Sequence, residues 1–309
     1  MKTVIVGAGA MGSTFGGLLY EAGVDVYLLD IWAEHIHAIN RDGLWLEGVS
    51  GDRSIPLKAF TQTGEIGPAD LVIVFVKATH TQDAARGMGS LMKDESVVLT
   101  LQNGLGNQES IEGVLGKGRV LIGITSAGAL LIGPGRIRHT GWGDIYLGEP
   151  EGPVSPRAKA VAQVLSKTGL SVQTSDNAQG LVWTKLLVNA TLNAPATLMR
   201  VRNGEIARNE ACRSFALKVL DECLRVAKAK GIKLLYPDME QEFLAICQNT
   251  APNLNSMYQD ILAKRQTEID YINGALVREG EALGVEAPLN RAIASLIKGL
   301  EATSSVRAD

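Results

Sequence analysis

The sequence predicts an α/β fold in its first half and an all-helical domain in its second, on three observations. Residues 1 to about 174 alternate short β-branched runs with helical stretches, the grammar of a parallel sheet with crossover helices. From about residue 177 onward that alternation gives way to long helical patterns. The chain also opens on an apolar run that ends in a G-x-G-x-x-G, Gly7-Ala8-Gly9-Ala10-Met11-Gly12. The expected domains are therefore residues 1–174 and 175–309.

In the first half, strands are expected at 3–6, 25–29, 71–76, 97–101 and 120–124. Three less regular strands should occupy about 127–148, with the turn Gly133-Pro134-Gly135 between two of them. A helix at about 155–167 and a strand at 170–174 close this half. In the second half, helices are expected at about 177–194, 204–230, 238–249, 255–283 and 288–301. Gly231, after Lys228 and Lys230, reads as a helix stop with favourable C-terminal charge. Pro237 and Pro288 stand at helix starts, where a missing N–H costs nothing.

The glycine run has a specific chemistry. Gly7 allows a tight turn, Gly9 lets backbone approach a pyrophosphate, and Gly12 lets the following helix pack on the strand. Phosphates then lie over free N–H groups at a helix start. A second apolar strand, Val26 to Leu29, ends in an acid at Asp30. The alternative is a glycine-rich turn in some other α/β protein, and the strand–loop–helix context disfavours it. The first half thus reads as a Rossmann-like dinucleotide-binding domain.

Composition narrows the partners. At 309 residues the chain can bury a core in each of two domains. A net charge of −3, with no basic run, argues against nucleic acid or an anionic membrane as main partner. No apolar run approaches the ~18 residues of a membrane helix. Lys2 before an apolar stretch mimics a secretory signal, yet cleavage there would destroy the first strand. Three cysteines make a disulfide framework unfavourable, and a reduced, cytoplasmic setting fits. Cys212 and Cys223 share a helical stripe with Ala216, Val219 and Val226, which marks them as core, and Cys247 has no partner at metal-ligand spacing. No metal site is expected.

Ligands of open α/β sheets bind outside the carboxyl ends of the strands. Gly7, Asp30, Lys77 and Asn103 all fall at such ends. By themselves, Lys77 is a solvated lysine and Asn103-Gly104 a turn; their shared rim favours function. A second group lies on the helix after Trp183. At about 100° per residue, Lys185, Asn189 and Asn193 share one face. Asparagine is a poor helix former, and Leu186, Leu187, Val188, Ala190 and Leu192 make the rest of that helix apolar. The face is expected to look into a polar cleft rather than bulk water. A lysine there loses its proton more readily than a free one and can serve as a general acid. A third segment runs from Asn253 to Ser256 and on through Arg265 to Gly274. Glu268 can be a surface partner of Lys264 or Arg265, and Ser256 a helix cap. Local chemistry does not choose between Glu268 and Asp270.

Together, the Gly7–Gly12 loop, the Lys77 strand end, Gln102-Asn103-Gly104, the Trp183-Thr184-Lys185 helix and the Arg265–Gly274 stretch resemble the ketopantoate reductase (2-dehydropantoate 2-reductase) family. The likeness spans nearly the whole chain and keeps the order and spacing of the motifs. It implies a Rossmann domain paired with a helical domain, and reduction of a 2-oxo acid with NADPH in the cleft between them. By family default the substrate is 2-dehydropantoate, on the way to pantothenate and coenzyme A. The resemblance implies Lys185 as proton donor, with Glu268 also assigned to the catalytic pair. It implies substrate contacts from Asn103, Lys185, Asn189, Asn193, Asn203, Asn253 and Ser256. The motif itself makes Gly7, Ala8, Gly9, Ala10, Met11, Gly12 and the strand-end Asp30 cofactor contacts, and the resemblance adds Lys77, Asn103, Ala127 and Glu268. Asn203 can equally be a helix N-cap before Glu205.

Two points depart from the family default. NADPH users commonly carry a basic residue just past the second strand, whereas here Asp30 is followed by no Lys or Arg until Arg41. An acid at that strand end accepts from a ribose 2′-OH and repels a 2′-phosphate, so NAD is favoured over NADP. Membership also leaves open another 2-oxo or 3-hydroxy acid. A non-catalytic dinucleotide sensor is disfavoured, because a sensor has no use for a cleft lysine. Finally, the long helices expected at 204–230 and 255–283 offer surplus apolar face, and a homodimer through the C-terminal half is expected.

Overall fold

The computed structural model describes residues 1–305. The chain forms two compact units: Met1–Gln102 with Asn107–Ala178, and Asn103–Gly106 with the chain from Gln179 onward.

The first unit holds β1 (Thr3–Val6), α1 (Ala10–Glu21), β2 (Val26–Leu29), α2 (Ala33–Asp42), β3 (Leu44–Gly48), β4 (Arg53–Ile55), β5 (Lys58–Phe60), β6 (Leu71–Val74), α3 (Thr81–Gly87), β7 (Val97–Thr100), α4 (Asn107–Leu115), β8 (Val120–Thr125), β9 (Gly128–Gly133), β10 (Arg136–Gly141), β11 (Asp144–Gly148), α5 (Pro156–Ser166) and β12 (Ser171–Thr174). Eight strands form one sheet in the order β12-β11-β8-β7-β6-β1-β2-β5. All its neighbours run parallel except β11 against β8. The middle strands β1, β6 and β7 are buried at every residue, as strands covered on both faces must be. Ile5, Phe15, Leu28, Ile73 and Leu99 form the centre of the packing.

A second sheet, β4-β3-β10-β9, was not expected in full. The sequence shows β9 and β10 but gives little sign of β3, β4 and β5. These strands have three to five residues each, and β3 pairs in parallel with the distant β10. Too few residues alternate for the period of two to stand out, and a partner so remote leaves no local signal.

The second unit contains α6 (Ala178–Met199, its first residue in the other unit), α7 (Asn203–Arg208), α8 (Glu210–Ala229), α9 (Met239–Asn249), α10 (Ser256–Leu262), α11 (Asn273–Leu283) and α12 (Pro288–Ala302). Its core joins Trp183, Leu187, Cys223, Phe243, Cys247, Leu276 and Ile297. Two expected helices prove to be broken. The helix expected at 204–230 divides at Asn209, whose side chain accepts from the Ala211 and Cys212 N–H groups and so starts α8 afresh. The helix expected at 255–283 ends at Leu262, and Lys264 takes a left-handed φ of 54°. Residues 263–266 are exposed, so no apolar face carries the helical period across them. A 3₁₀ turn, Ile269–Tyr271, then leads into α11.

Of the smaller features, the stop at Gly231 and the start at Pro288 agree with the physical reading and Pro237 does not. α8 stops at Ala229, with Gly231 at φ 75° just beyond. Pro288 is the first residue of α12, whereas Pro237 stands one residue before the Asp238 cap of α9. Among the described residues no helix is long and apolar enough to cross a membrane.

Candidate active site

In the first unit the glycine loop has the shape that a dinucleotide needs. Gly7 has φ 98°, and a Cβ there would lie 2.5 Å from Val76 N. A Cβ on Gly12 would lie 1.9 Å from Gly7 O, so only glycine lets α1 start this close to β1. A Cβ on Gly9 would meet nothing within 4 Å, which leaves open space beside the start of α1. The N-cap is Gly9, which has no side chain to occupy the first N–H groups of α1, the place where a helix start receives an anion. The residues present fit a dinucleotide pyrophosphate.

Asp30, the residue after β2, turns back on this loop. Its Oδ2 accepts the Ala8 N–H at 2.7 Å, and its Oδ1 accepts the Trp32 N–H at 2.9 Å. Ile31 beside it is 92% exposed. Next along the sheet, Gln102 links the ends of two strands. Its Nε2 donates to Val76 O at 2.7 Å and to Thr81 Oγ1 at 2.8 Å. Thr81 Oγ1 in turn donates to Asn107 Oδ1. Sequence reasoning passed over Gln102 in favour of its neighbour, because a neutral amide signals nothing until its partners are known. Lys77 is half-buried and precedes a 3₁₀ turn at Ala78–His80. Ala127 is half-buried, and its N–H donates to Thr125 Oγ1 at 3.1 Å.

The second unit brings together Asn103, Lys185 and Glu268. Lys185 lies on α6, where Leu186, Leu187, Val188, Ala190 and Leu192 are all buried. Asn193 is buried too, and Lys185 and Asn189 are the half-covered members of the stripe. Although part of the Lys185 residue retains accessible surface, desolvation of its charged end lowers its pKa to about 8, against an upward pull from the Glu268 carboxylate. The ordinary lysine value is 10.5, so an appreciable fraction is neutral at slightly alkaline pH.

The structure separates the two carboxylates that local chemistry left tied. Glu268 is 7% exposed, and its Oε2 accepts from Asn103 Nδ2 at 3.3 Å. Asp270 instead pairs with Lys298 at 2.6 Å near the surface. Arg265, a candidate surface partner of Glu268, pairs with Asp260 at 3.0 Å. The loop that carries Asn103 is knitted to the Glu268 turn. Leu105 N–H donates to Tyr271 O at 2.9 Å. Gly104 has φ 85°, and a Cβ there would lie 2.4 Å from the same Tyr271 oxygen. Asn103-Gly104 is thus more than a turn, since glycine is what lets the loop seat on residues 268–271.

The remaining asparagines fall into two groups. Asn203 is buried, its Nδ2 donates to Thr250 Oγ1 at 3.0 Å, and its N–H donates to Asn253 O at 3.1 Å. It is the first residue of α7 rather than its cap, which is Arg202. The cap of α10 is Asn255, not Ser256: Asn255 Oδ1 accepts from Tyr258 N–H at 3.0 Å. Asn253 and Ser256 are exposed on either side of it. With two candidate caps adjacent, sequence alone does not fix which one starts the helix. Asn273 also escaped the sequence reading, and it is fully buried. Its Nδ2 donates to Ala190 O at 3.1 Å and to Asn290 Oδ1 at 2.9 Å, which ties α11 to α6 and α12.

A glycine loop shaped for a pyrophosphate in the first unit, and in the second a lysine of lowered pKa interacting with a buried carboxylate, are the parts that a dinucleotide-dependent oxidoreductase needs. Residues 3–152 match the family described as Ketopantoate reductase PanE/ApbA, and residues 177–301 match Ketopantoate reductase PanE/ApbA C terminal. The chain is 39% identical to the 2-dehydropantoate 2-reductase of Pyrococcus abyssi (strain GE5 / Orsay), over 98% of each chain. It is 36% identical to that of Archaeoglobus fulgidus, over 97% of this chain and 98% of the other. Among solved structures, a PanE/ApbA family ketopantoate reductase from Ralstonia eutropha JMP134 superposes with a TM-score of 0.90 at 33% identity, covering 98% of this chain and 99% of that one. D-mandelate dehydrogenase with NADH and anilino(oxo)acetate superposes at 0.92, also at 33% identity, covering 99% and 100%. The chain belongs to the ketopantoate reductase family. It is an oxidoreductase acting on CH–OH groups, and its cofactor is a nicotinamide dinucleotide.

Proposed function

We propose that this chain reduces 2-dehydropantoate to pantoate, with Lys185 as the proton donor. The observation that carries this reading is the desolvated Lys185 within electrostatic reach of the buried Glu268. When bound, the reduced nicotinamide supplies the hydride. The Gly7–Gly12 loop and the start of α1 hold the pyrophosphate, with Lys77 and Ala127 as further contacts. The Lys185 ammonium hydrogen-bonds the ketone oxygen, stabilises the negative charge that develops there, and then gives it a proton. Lys185 is left as a neutral amine, which burial favours. Glu268, held by Asn103, keeps enough of the lysine charged for this to work at neutral pH and meets a hydroxyl of substrate or cofactor. Asn189, Asn193, Asn203, Asn253 and Ser256 supply donors for the carboxylate and remaining hydroxyl of the acid.

The fit to D-mandelate dehydrogenase supports a second reading, reduction of another bulky 2-oxo acid. A panel of 2-oxo acids, followed by loss of NAD(P)H absorbance, separates the two. The highest kcat/KM on 2-dehydropantoate is expected. A clear preference for phenylglyoxylate would favour the second reading, and no turnover of any 2-oxo acid would reject both.

Cofactor preference is the first expected result. Past β2 the chain offers Asp30 and Glu34, and past the neighbouring β5 it runs Thr61-Gln62-Thr63-Gly64-Glu65, without a basic residue. NADH should therefore be used at least as well as NADPH. Since Asp30 also holds the Ala8 and Trp32 N–H groups, Asp30→Ala should weaken both cofactors. Ile31→Arg, at an exposed position, should instead improve NADPH alone. A strong wild-type preference for NADPH would overturn this reading.

We also propose a homodimer through the helical unit. Leu262 and Leu296, each more than half exposed there, support it. Sedimentation at micromolar concentration should give twice the chain mass of 32.9 kDa, and a monomer alone would reject it.

A further inference from the structure

We propose that His35 is a positioning residue for the dinucleotide loop, acting through Ser13 to fix the orientation of the peptide between Ala8 and Gly9. His35 lies in the first turn of α2 and is completely buried. A buried imidazole has two polar nitrogens to satisfy. Gly135 N–H donates to His35 Nδ1 at 3.0 Å, so Nδ1 is an acceptor and the proton of the neutral ring is on Nε2. Nε2 lies 3.3 Å from Ser13 Oγ, and the Ser13 hydroxyl donates to Ala8 O at 2.7 Å. A hydroxyl has one hydrogen, so with that hydrogen on Ala8 O it accepts from the histidine. The direction of the whole chain follows: Gly135 N–H to Nδ1, Nε2–H to Ser13 Oγ, Oγ–H to Ala8 O. Burial holds the histidine pKa below its usual value, against the pull of Asp30, and keeps the ring in this neutral form.

The other side of Ala8 is clamped as well. Its N–H goes to Asp30 Oδ2, Asp30 Oδ1 takes the Trp32 N–H, and the Trp32 ring stacks on His35 at 5.0 Å and 10°. A trans peptide is planar, with its C=O and N–H pointing opposite ways. Drawing Ala8 O toward Ser13 on α1 therefore turns the Gly9 N–H away from that hydroxyl. Gly9 is the residue beside which there is open space. The turn Gly133-Pro134-Gly135, visible in the sequence only as a hairpin, thus reaches the cofactor loop through one histidine. Gly135 has φ 69°, and a Cβ there would come within 3.0 Å of Ala38 on α2, so the turn seats directly on this helix.

The inference rests on Gly7–Gly12 being the dinucleotide loop, which fluorescence titration of wild-type protein with NADH and with NADPH tests first; absence of binding of both would reject the loop reading itself. Given wild-type binding, His35→Leu and Ser13→Ala should each raise the Kd for NADH by about tenfold. Their effects should not add in the double variant, because both interrupt one chain. His35→Gln, which restores an N–H at the place of Nε2, should recover most of the affinity. At saturating NADH, kcat should stay within about twofold of wild type, since positioning of the loop is made good by mass action. An NADH Kd unchanged in Ser13→Ala, or additive losses without rescue by glutamine, would overturn the proposal. If His35→Leu fails to fold, Ser13→Ala and His35→Gln decide the matter.

Discussion

Lys185→Ala should lower kcat by a factor of roughly 10² or more, the usual worth of a positioned general acid. NADH affinity, measured by fluorescence, should be nearly intact, because the glycine loop belongs to the other unit of the chain. Lys185→Arg keeps a positive charge, but a guanidinium does not give up its proton near neutral pH, so it should recover binding of the oxo acid and little of the turnover. Glu268→Gln gives an independent check. The Glu268 carboxylate raises the lysine pKa, so its removal should move the pH at which reduction fails to lower values. A Lys185→Ala enzyme with near-normal kcat would remove this residue from the mechanism.

The second large effect is expected in the glycine loop, where two substitutions of the same size should behave differently. At Gly12 a methyl group would overlap Gly7 O at 1.9 Å, and backbone cannot swing aside as a side chain can. Gly12→Ala should cost stability on the order of 1–3 kcal/mol and bind NADH poorly. At Gly9 the φ of −64° suits any residue, and a methyl group would meet nothing within 4 Å. Gly9→Ala should melt like wild type yet lose about tenfold or more in NADH affinity, because the methyl fills the approach of the pyrophosphate. Calorimetry beside fluorescence titration reads both. Equal melting temperatures for the two variants, or full NADH affinity in Gly9→Ala, would contradict this account of the loop.

Much of the fold could be read from local pattern, and its failures share a cause. β1, β2, β6, β7 and β8 are largely apolar runs at the centre of a sheet, where burial on both faces writes itself into nearly every position. β3, β4 and β5 are short and belong to a sheet edge or a second sheet, so little of their burial is visible in sequence. The second half is legible as helical because its apolar stripes are long. The breaks at Asn209 and at 263–266 depend on a side-chain cap and on an exposed stretch, which a count of apolar spacing overlooks.

The site divides in the same way. The glycine loop and the Lys185–Asn189–Asn193 stripe carry their geometry in their spacing. Glu268 does not, since its choice over Asp270 turns on Asn103, which is 165 residues away in the chain. Asn255, Asn273, Gln102 and His35 were invisible for the same reason: each matters through partners that only the folded chain supplies.

The central claim is that a desolvated lysine passes the proton, and the pH dependence of both directions tests it most directly. Lys185 loses its proton as pH rises through about 8. At saturating cofactor, kcat/KM for reduction of 2-dehydropantoate needs the ammonium and should fall above that pH. Oxidation of pantoate needs the neutral amine as base and should rise through the same pH. Both limbs should disappear in Lys185→Ala. Opposed limbs with a shared midpoint are the predicted result. A reduction rate that stays flat or rises through this range, or limbs that persist without Lys185, would contradict the account.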